Sequence, residues 1–324
     1  STQGYSSAAS DVYKRQEKFI SNYVNSIFKQ DYSNIEVIFV DDGSNDATKQ
    51  LILGYENEFL ARKISFQYIW KENNGAASAI EKGIKNVKGK YLTWIDVDDS
   101  MHSDYISKKV RFLEENTDKD LVISRCTYIE QSTGEKVGCS WKDIPIERKE
   151  LIHRLLLNQK FDFEPGNFMV RMSSFDAMNP QRYIYISDKK YVGQNIQLLL
   201  PIVYLGETGF LQESLYDYYI HTSNHHLRLK GKKEKLEAIE EIEKTYRHTI
   251  DAMSIDNKEK LMRVVFLGSA SNKLGLAIQY KDKELGKKAY RFLKQEKHLG
   301  RKDRIKYIIS QNGLLCEMFV RFKR

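Results

Sequence analysis

The sequence predicts an α/β fold, with a doubly wound, mixed and mainly parallel sheet followed by a smaller helical subdomain. Short apolar runs rich in β-branched residues alternate with amphipathic stretches of helical length over residues 17–228. Such alternation is typical of parallel strands joined by helical crossovers. Over residues 229–324 the pattern changes to Glu- and Lys-rich segments with helical spacing, which indicates a C-terminal helical region.

The first elements are expected from residue 17 onward. Residues 1–16 are small and polar without apolar alternation, which is typical of a non-native leader such as a fusion scar. Apolar pairs then recur every four residues over residues 17–30, the pattern of an amphipathic helix. Residues 36–40 (EVIFV) form a short apolar strand that ends in a turn cluster, DDGS.

The same alternation continues to about residue 200, and helices follow beyond residue 230. Helices are expected at residues 46–55, 76–87, 147–157, 191–200, 232–251, 257–280, 282–295 and 302–322. Strands are expected at residues 64–70, 91–95, 120–124 and 168–171, with a hairpin over residues 126–139.

The composition is that of a folded chain. Of 324 residues, 41% are hydrophobic and only four are proline, which excludes a disordered or low-complexity chain. No apolar run approaches the ~18 residues needed to cross a bilayer. The three cysteines, Cys126, Cys139 and Cys316, lack C-x-x-C spacing, so neither a disulfide framework nor a zinc site is suggested, and a reducing cytoplasm is the expected compartment.

Positive charge is concentrated at the C-terminus. The formal net charge of +8 favours an anionic partner, and residues 301–324 hold seven Lys or Arg against Asp303 and Glu317. We expect no nucleic-acid partner, because the basic residues do not form a recognisable binding module. The same tail mixes apolar and basic residues. It is read either as an interfacial helix on anionic lipid or as a helix that packs its apolar face on the core.

Two acidic clusters directly follow predicted strands. Asp41 and Asp42 end the strand EVIFV, and Asp96, Asp98 and Asp99 end the strand YLTWI. Ligands of open α/β sheets bind beyond the carboxyl ends of the strands. Carboxylates gathered there repel one another unless a cation neutralises them, and oxygen ligands suit Mg²⁺ or Mn²⁺ bound to phosphates. The alternative is that these residues only begin turns or cap the following helix.

The segments VDDGS, NNGAASAIEKGI and GKYLTWIDVDDS occur in this order. By these motifs the chain resembles the family 2 glycosyltransferases, which have the GT-A fold, over residues 17–228. The resemblance implies a nucleotide-sugar donor whose base is contacted by Asp42, with Asp41 as second candidate. It also places Asp96 near the ribose and Asp98 on a divalent metal that holds the diphosphate, with Asp99 in support. The metal, Mg²⁺ or Mn²⁺, acts as a Lewis acid.

Asn74 and Gly75 match the family's NxG segment, where glycine permits close backbone approach to phosphate. The match departs from the family at Ile80, where members often carry Arg, and at Glu81, where they often carry Asn. The alternative for Asn74 and Gly75 is an ordinary loop.

The expected general base is missing from its usual place. Gln194 and Asn195 stand where most family members have Glu-Asp, and neither amide can accept the acceptor's proton. Either another carboxylate serves, with Asp188 and Glu164 as candidates, or positioning and metal suffice, or the chain is catalytically impaired. Gln194 and Asn195 can still hydrogen-bond the acceptor sugar.

Two further expectations come from the resemblance. The family begins with a buried apolar strand, which the polar leader does not supply, so the chain is expected to lack its first strand. Basic residues that often meet the diphosphate correspond to His221, His225, His226 and Arg228, for which a solvated loop is the alternative.

Together these features indicate an inverting glycosyltransferase that moves a sugar, with a UDP-sugar favoured as donor, to a saccharide or lipid-linked glycan acceptor. The expected setting is bacterial cell-surface polysaccharide (capsule) synthesis, in the cytoplasm and with peripheral contact to the inner face of the membrane. The alternative is a catalytically impaired nucleotide-sugar-binding or assembly protein.

Overall fold

The structure is a computed structural model that describes residues 2–8, 16–140, 146–157, 164–187, 193–220 and 231–322. Its strands are β1 (Thr2–Ala8), β2 (Ile35–Asp42), β3 (Ser65–Lys71), β4 (Tyr91–Leu92), β5 (Ser100–Met101), β6 (Leu121–Glu130), β7 (Lys136–Cys139), β8 (Phe168–Arg171) and β9 (Thr208–Ile220). They form one sheet in the order β3-β2-β1-β4-β8-β6-β9-β5, with β7 paired to β6.

The helices lie on both faces of this sheet and then form a C-terminal region. They are α1 (Gln16–Phe28), α2 (Thr48–Leu53), α3 (Glu56–Ala61), α4 (Ala76–Ile84), α5 (Tyr105–Glu115), α6 (Arg148–Leu156), α7 (Met172–Met178), α8 (Gln194–Leu205), α9 (Lys232–Ala252), α10 (Lys258–Gln279), α11 (Lys283–Gln295), α12 (Arg301–Gln311) and α13 (Gly313–Phe322). The predicted mixed α/β fold with a helical C-terminal region is confirmed.

The sheet is mixed. Strands β3, β2, β1 and β4 are parallel, and β6 is parallel to β9. Strand β8 is antiparallel to both β4 and β6, and β5 is antiparallel to β9. Strand β1 separates β2 from β4, and Glu36 and Leu92 both lie opposite Gln3, so β2 continues six residues beyond the level at which β4 ends. Because the two strands are parallel, the chain leaves both of them in the same direction.

The expectation that the first strand is missing is wrong. Residues Thr2–Ala8 form β1, which pairs with β2 on one side, Tyr5 opposite Ile38, and with β4 on the other. The physical reason is that a ladder is built from backbone N–H and C=O groups, which every residue other than proline supplies. A polar segment can therefore fill a central slot that would otherwise leave two neighbouring strand edges unpaired.

The sheet carries one hydrophobic cluster on each face, and a third, smaller cluster joins α10 and α11. All eight residues of β2 are buried, and their alternation sends Ile38 and Val40 into one cluster and Val37 and Phe39 into the other. The first cluster is closed by α4, α6, α8 and part of α9 and α10, and the second by α1 and α5. Burial on both faces explains why β2 reads as a continuous apolar run.

Several element boundaries differ from the prediction. The helix expected at residues 46–55 is the shorter α2, and the strand expected at residues 91–95 is the two-residue β4. The helix expected at 302–322 breaks between α12 and α13 at Asn312. Strand β9 and helices α3 and α7 were not predicted. Helix α10 has the length and composition of a membrane span, although more than half of it is buried inside the structure. It contacts α9, α11, α12 and α6, which explains its apolar composition.

Candidate active site

The turn after β2 is held by Asp41. Its carboxylate accepts hydrogen bonds from the backbone N of Ser44 at 2.7 Å and from the hydroxyl of Tyr68 at 2.6 Å. Desolvation, together with the charge of Asp41, raises the pKa of the Tyr68 hydroxyl above its usual value. Asp41 is fully buried, so its first role is to fix the turn and the neighbouring strand β3.

Asp42 joins this turn to the NNG loop. Its carboxylate accepts hydrogen bonds from Lys71 Nζ at 2.5 Å, the backbone N of Asn74 at 3.0 Å and the backbone N of Gly75 at 2.8 Å. The loops approach so closely that a Cβ on Gly43, whose φ is +83°, would lie 2.6 Å from a backbone nitrogen of the NNG loop. Glycine is therefore required there. The side chain predicted to contact a nucleotide base also organises the loops around it.

The NNG loop leads directly into α4. Gly75, with φ of 85°, precedes the first residue of the helix. Ile80, where the family often has Arg, is buried in the core beneath the sheet. Glu81 forms an ion pair with Lys85 at 2.9 Å. The departures from the family pattern therefore fall on a packed side chain and a surface ion pair.

The acidic cluster predicted after β4 forms a tight turn. The backbone N of Asp99 donates to the carbonyl oxygen of Asp96 at 3.1 Å. The Asp99 side chain is buried, and its Oδ1 accepts from the backbone N of Tyr219 in β9 at 3.0 Å. Its Oδ2 has no hydrogen-bond partner among the described residues. A buried carboxyl oxygen without a partner among the described residues fits either a bound cation or a proton on the carboxyl group itself.

The carboxyl groups of this turn have raised pKa values. Desolvation, and then the charge of Asp98, raise the pKa of Asp96 to about 7. Desolvation and the charges of Asp98 and Asp96 raise the pKa of Asp99 well above its usual value. Both carboxyl groups therefore favour the protonated form more than an exposed aspartate does, and a bound divalent cation would favour the ionised form.

The carboxylates fit a metal that is shared with a ligand. In the parts of the chain that the structure describes, no group of three or more His, Cys, Asp or Glu side chains could hold a metal ion. Mg²⁺ and similar ions commonly take only one or two carboxylates from a protein and complete their shell with phosphate oxygens and water. Asp96 and Asp98 supply such carboxylates.

Strand β9, which the sequence analysis missed, supports the acidic turn. Beyond the Asp99 contact, β5 pairs with β9 with Ser100 opposite Asp217. His102 Nε2 lies 3.2 Å from Asp217 Oδ1. The end of β9 is an alternating aromatic segment, a pattern that is typical of a strand and could have predicted it.

The start of α8 reaches the same region. Asn195 Oδ1 accepts a hydrogen bond from Trp94 Nε1 at 3.0 Å. Trp94 is buried, stacks on Phe168 with ring centroids 5.8 Å apart, and precedes Asp96 by two residues. The structure therefore brings Asn195 next to the segment that carries the acidic turn. Sequence reasoning missed Trp94, which lies between the end of β4 and the acidic turn.

The structure describes only some of the residues that were predicted to act as base or to contact the diphosphate. Asp188 lies outside the described residues, as do His221, His225, His226 and Arg228. Gln194 is the first residue of α8.

Glu164 lies in the described part of the chain. Its carboxylate accepts hydrogen bonds from the Tyr128 hydroxyl at 2.9 Å and from Asn167 Nδ2 at 3.2 Å. Its charge adds to the rise in the pKa of Asp99, after burial and the nearer carboxylates. Glu164 is therefore a carboxylate in the electrostatic neighbourhood of the acidic turn.

We expect the substitution Asp42→Asn to lower the free energy of unfolding by about 2–3 kcal/mol, because an amide cannot accept from all three donors and Lys71 loses its counter-ion. Urea unfolding followed by tryptophan fluorescence measures this change. Asp31→Asn is the matched control, since Asp31 is exposed, and it should change stability by less than about 0.5 kcal/mol. Equal stability of the two variants would show that Asp42 does not clamp the loops.

The chain is similar to known glycosyltransferases in sequence and in fold. The family model described as "Glycosyl transferase family 2" matches residues 7–178. The uncharacterized glycosyltransferase RP339 of Rickettsia prowazekii is 35% identical over 105 residues, which are 32% of this chain and 31% of that protein. The putative teichuronic acid biosynthesis glycosyltransferase TuaG of Bacillus subtilis is 32% identical over 99 residues, 31% of this chain and 38% of that protein. The chain thus matches well under half of each relative's length.

A solved structure covers the whole chain. The crystal structure of residues 1–349 of S. aureus TarS in complex with UDP-GlcNAc has a TM-score of 0.62 and 15% sequence identity, and the match covers 99% of this chain and 91% of that one. At this identity the likeness shows a shared fold.

Proposed function

This chain belongs to glycosyl transferase family 2, and on that premise we propose that it is an inverting glycosyltransferase that uses a nucleotide-sugar donor. The observation that carries the proposal is the acidic turn at residues 96–99, with its orphaned Asp99 oxygen. This turn follows β4, and only β1 separates β4 from β2, the strand that ends at Asp42. A nucleoside diphosphate bound across these strand ends would meet both groups.

In the proposed reaction the acceptor oxygen attacks the anomeric carbon in line with the departing diphosphate. The new C–O bond forms as the bond from the anomeric carbon to the phosphate oxygen breaks, and the leaving nucleoside diphosphate takes the electron pair. A divalent metal held by Asp98 and Asp96 would stabilise the charge that develops on the leaving group. Asp42 keeps the NNG loop, and therefore Gly75, in position beside the donor.

The acceptor hydroxyl must also lose a proton. Asn195 is held by Trp94 and has no basic lone pair at neutral pH. The proton therefore passes to a carboxylate elsewhere, for which Asp188 and Glu164 are the candidates, or it is taken up by the departing diphosphate or by solvent water without a dedicated base. Gln194 and Asn195 are proposed to hydrogen-bond the acceptor sugar.

The donor is proposed to be a UDP-sugar and the setting bacterial surface polysaccharide synthesis. The UDP-GlcNAc bound to TarS, which shares this fold over the whole chain, supports the donor class. The name of TuaG, which refers to teichuronic acid biosynthesis, supports the pathway class. A cytoplasmic location is consistent with Cys126, Cys139 and Cys316, which are free thiols in the structure.

The alternative of a non-catalytic nucleotide-sugar-binding protein is not favoured. Both carboxylates of the DxD motif are present, and Asp99 keeps its supporting bond to β9. The substitution of the usual Glu-Asp pair affects only the acceptor's proton and leaves the machinery for the leaving group intact.

Thermal unfolding in the presence of nucleotide sugars tests the proposal. UDP-GlcNAc, UDP-glucose, UDP-galactose and GDP-mannose are each added with and without MnCl₂. We expect one UDP-sugar to raise the melting temperature only with Mn²⁺, because a ligand at one hundred times its Kd stabilises the folded state by about 2.7 kcal/mol. The proposal fails if none of these donors stabilises the chain in a Mn²⁺-dependent way.

A further inference from the structure

The last two helices expose large apolar side chains. Ile305 and Ile308 on α12 are 56% and 60% exposed, and Leu314, Leu315 and Met318 on α13 are 73%, 37% and 55% exposed. We call these five residues the C-terminal apolar set. Single exposed apolar residues are ordinary on protein surfaces, but a concentration of them on consecutive elements marks an interaction site.

These side chains are exposed although both helices are docked. Tyr307 stacks on Tyr290 of α11 with ring centroids 3.9 Å apart, and Ser310 and Cys316 are buried. At 100° per residue, these docked positions lie on the opposite side of each helix from the C-terminal apolar set. The helices therefore use one face to pack and present another, apolar face outward. The packed face agrees with the interpretation of the tail as a helix that docks on the core, and the outward face raises the question of what it contacts.

Basic side chains accompany the exposed face. Arg301 and Arg304 lie four residues before Ile305 and Ile308, so each lies one helical turn away on the same side. Arg301, Lys302 and Arg304 are exposed and have no ion pair with any residue that the structure describes.

The acidic side chains of this segment have partners nearby. Asp303 accepts a hydrogen bond from Ser271 of α10 at 2.7 Å and lies 3.9 Å from Lys306. Glu317 forms an ion pair with Lys281 at 2.5 Å. Both carboxylates are thus neutralised within the C-terminal region. The charge left on the exposed face of α12 is positive.

From this combination we propose that α12 and α13 bind the surface of an anionic lipid bilayer. Aliphatic side chains that enter the acyl boundary, with arginine and lysine at the level of the lipid headgroups, are the chemistry of an interfacial helix. The exposed basic side chains of α12 favour an anionic bilayer over an uncharged apolar surface as the binding partner. The inference does not depend on the proposed reaction, and a membrane contact would hold the site beside lipid-linked acceptors.

Vesicle co-sedimentation of the full chain tests the apolar part. The vesicles contain phosphatidylglycerol and phosphatidylcholine in equal parts. The double variant Ile308→Glu and Leu314→Glu should lower the partition coefficient at least about tenfold, since each change removes an apolar group and adds a like charge to the lipid. The matched control is Leu60→Glu, because Leu60 is 74% exposed on α3, and it should bind as the wild type does.

A second set of variants tests the contribution of the basic side chains. Arg301→Gln with Arg304→Gln should weaken binding about fivefold per removed charge, whereas Lys49→Gln with Lys260→Gln, two exposed lysines elsewhere, should not. Vesicles of phosphatidylcholine alone should retain little protein. The inference is overturned if the wild type does not sediment with anionic vesicles or if both control variants lose as much binding. It is also overturned if Ile308→Glu and Leu314→Glu abolish self-association in light scattering and leave vesicle binding unchanged.

Discussion

Asp98→Asn should reduce the release of nucleoside diphosphate in the presence of acceptor by about a thousandfold or more. The proposed role of Asp98 is to hold the metal on the leaving diphosphate, and such charge stabilisation contributes several kcal/mol to the transition state. Each 1.36 kcal/mol corresponds to about a tenfold change in rate. The measurement is steady-state turnover with the donor found by thermal unfolding, together with the Mn²⁺ dependence of that turnover.

The matched control for this change is Asp104→Asn. Asp104 lies shortly after the acidic turn and pairs with Lys108 at 2.8 Å on the surface, so its loss should leave turnover within about twofold of the wild type, as expected for an exposed pair. Circular dichroism should show that both variants fold. If Asp98→Asn retains full turnover while it folds normally, the metal assignment is wrong.

Asn195→Asp should increase turnover by about a hundredfold or more, because it restores a carboxylate where most of the family has its base and general base catalysis contributes about 10²- to 10⁴-fold. Trp94 Nε1 donates to Asn195 Oδ1 at 3.0 Å and can donate equally to a carboxylate oxygen, so the side chain should keep its position. The pH dependence of kcat/KM should gain a limb that reports ionisation of the new carboxylate.

Asn272→Asp, on an exposed position of α10, controls for the added negative charge and should leave turnover unchanged. Unchanged turnover in Asn195→Asp as well would contradict the prediction and show that another group already takes the proton. Glu164→Gln would then be the next variant, since Glu164 is the described carboxylate beside the acidic turn.

The position of the two acidic clusters relative to the strands could be predicted from local sequence. Asp41 directly follows the apolar run EVIFV and Asp96 directly follows YLTWI, and the structure places these clusters at the end of β2 and in the turn after β4. The hairpin around residues 132–134 and the helices beyond residue 230 follow equally from short-range patterns, because periodicity and turn chemistry act over a few residues.

The polar leader shows the limit of this reasoning. Residues 2–8 have no strand pattern in their side chains, yet they form β1 between β2 and β4. Strand pairing in the middle of a sheet is decided by the backbone groups that the neighbours leave open, and these neighbours are separated from β1 by tens of residues. The side-chain composition of residues 2–8 carries no information about the unpaired backbone groups of these neighbouring strands.

The order of strands and acidic turns along the chain determined, by itself, the fold class and the family resemblance, and it supplied the carboxylates that we propose meet a diphosphate. Only the tertiary structure decided that Asp42 clamps Asn74 and Gly75 and that β9 holds Asp99. It also brought Asn195 to Trp94, 101 positions away in the sequence. The reason is that a carboxylate's neighbours, and therefore its pKa and its free oxygens, are set by which distant segments pack around it.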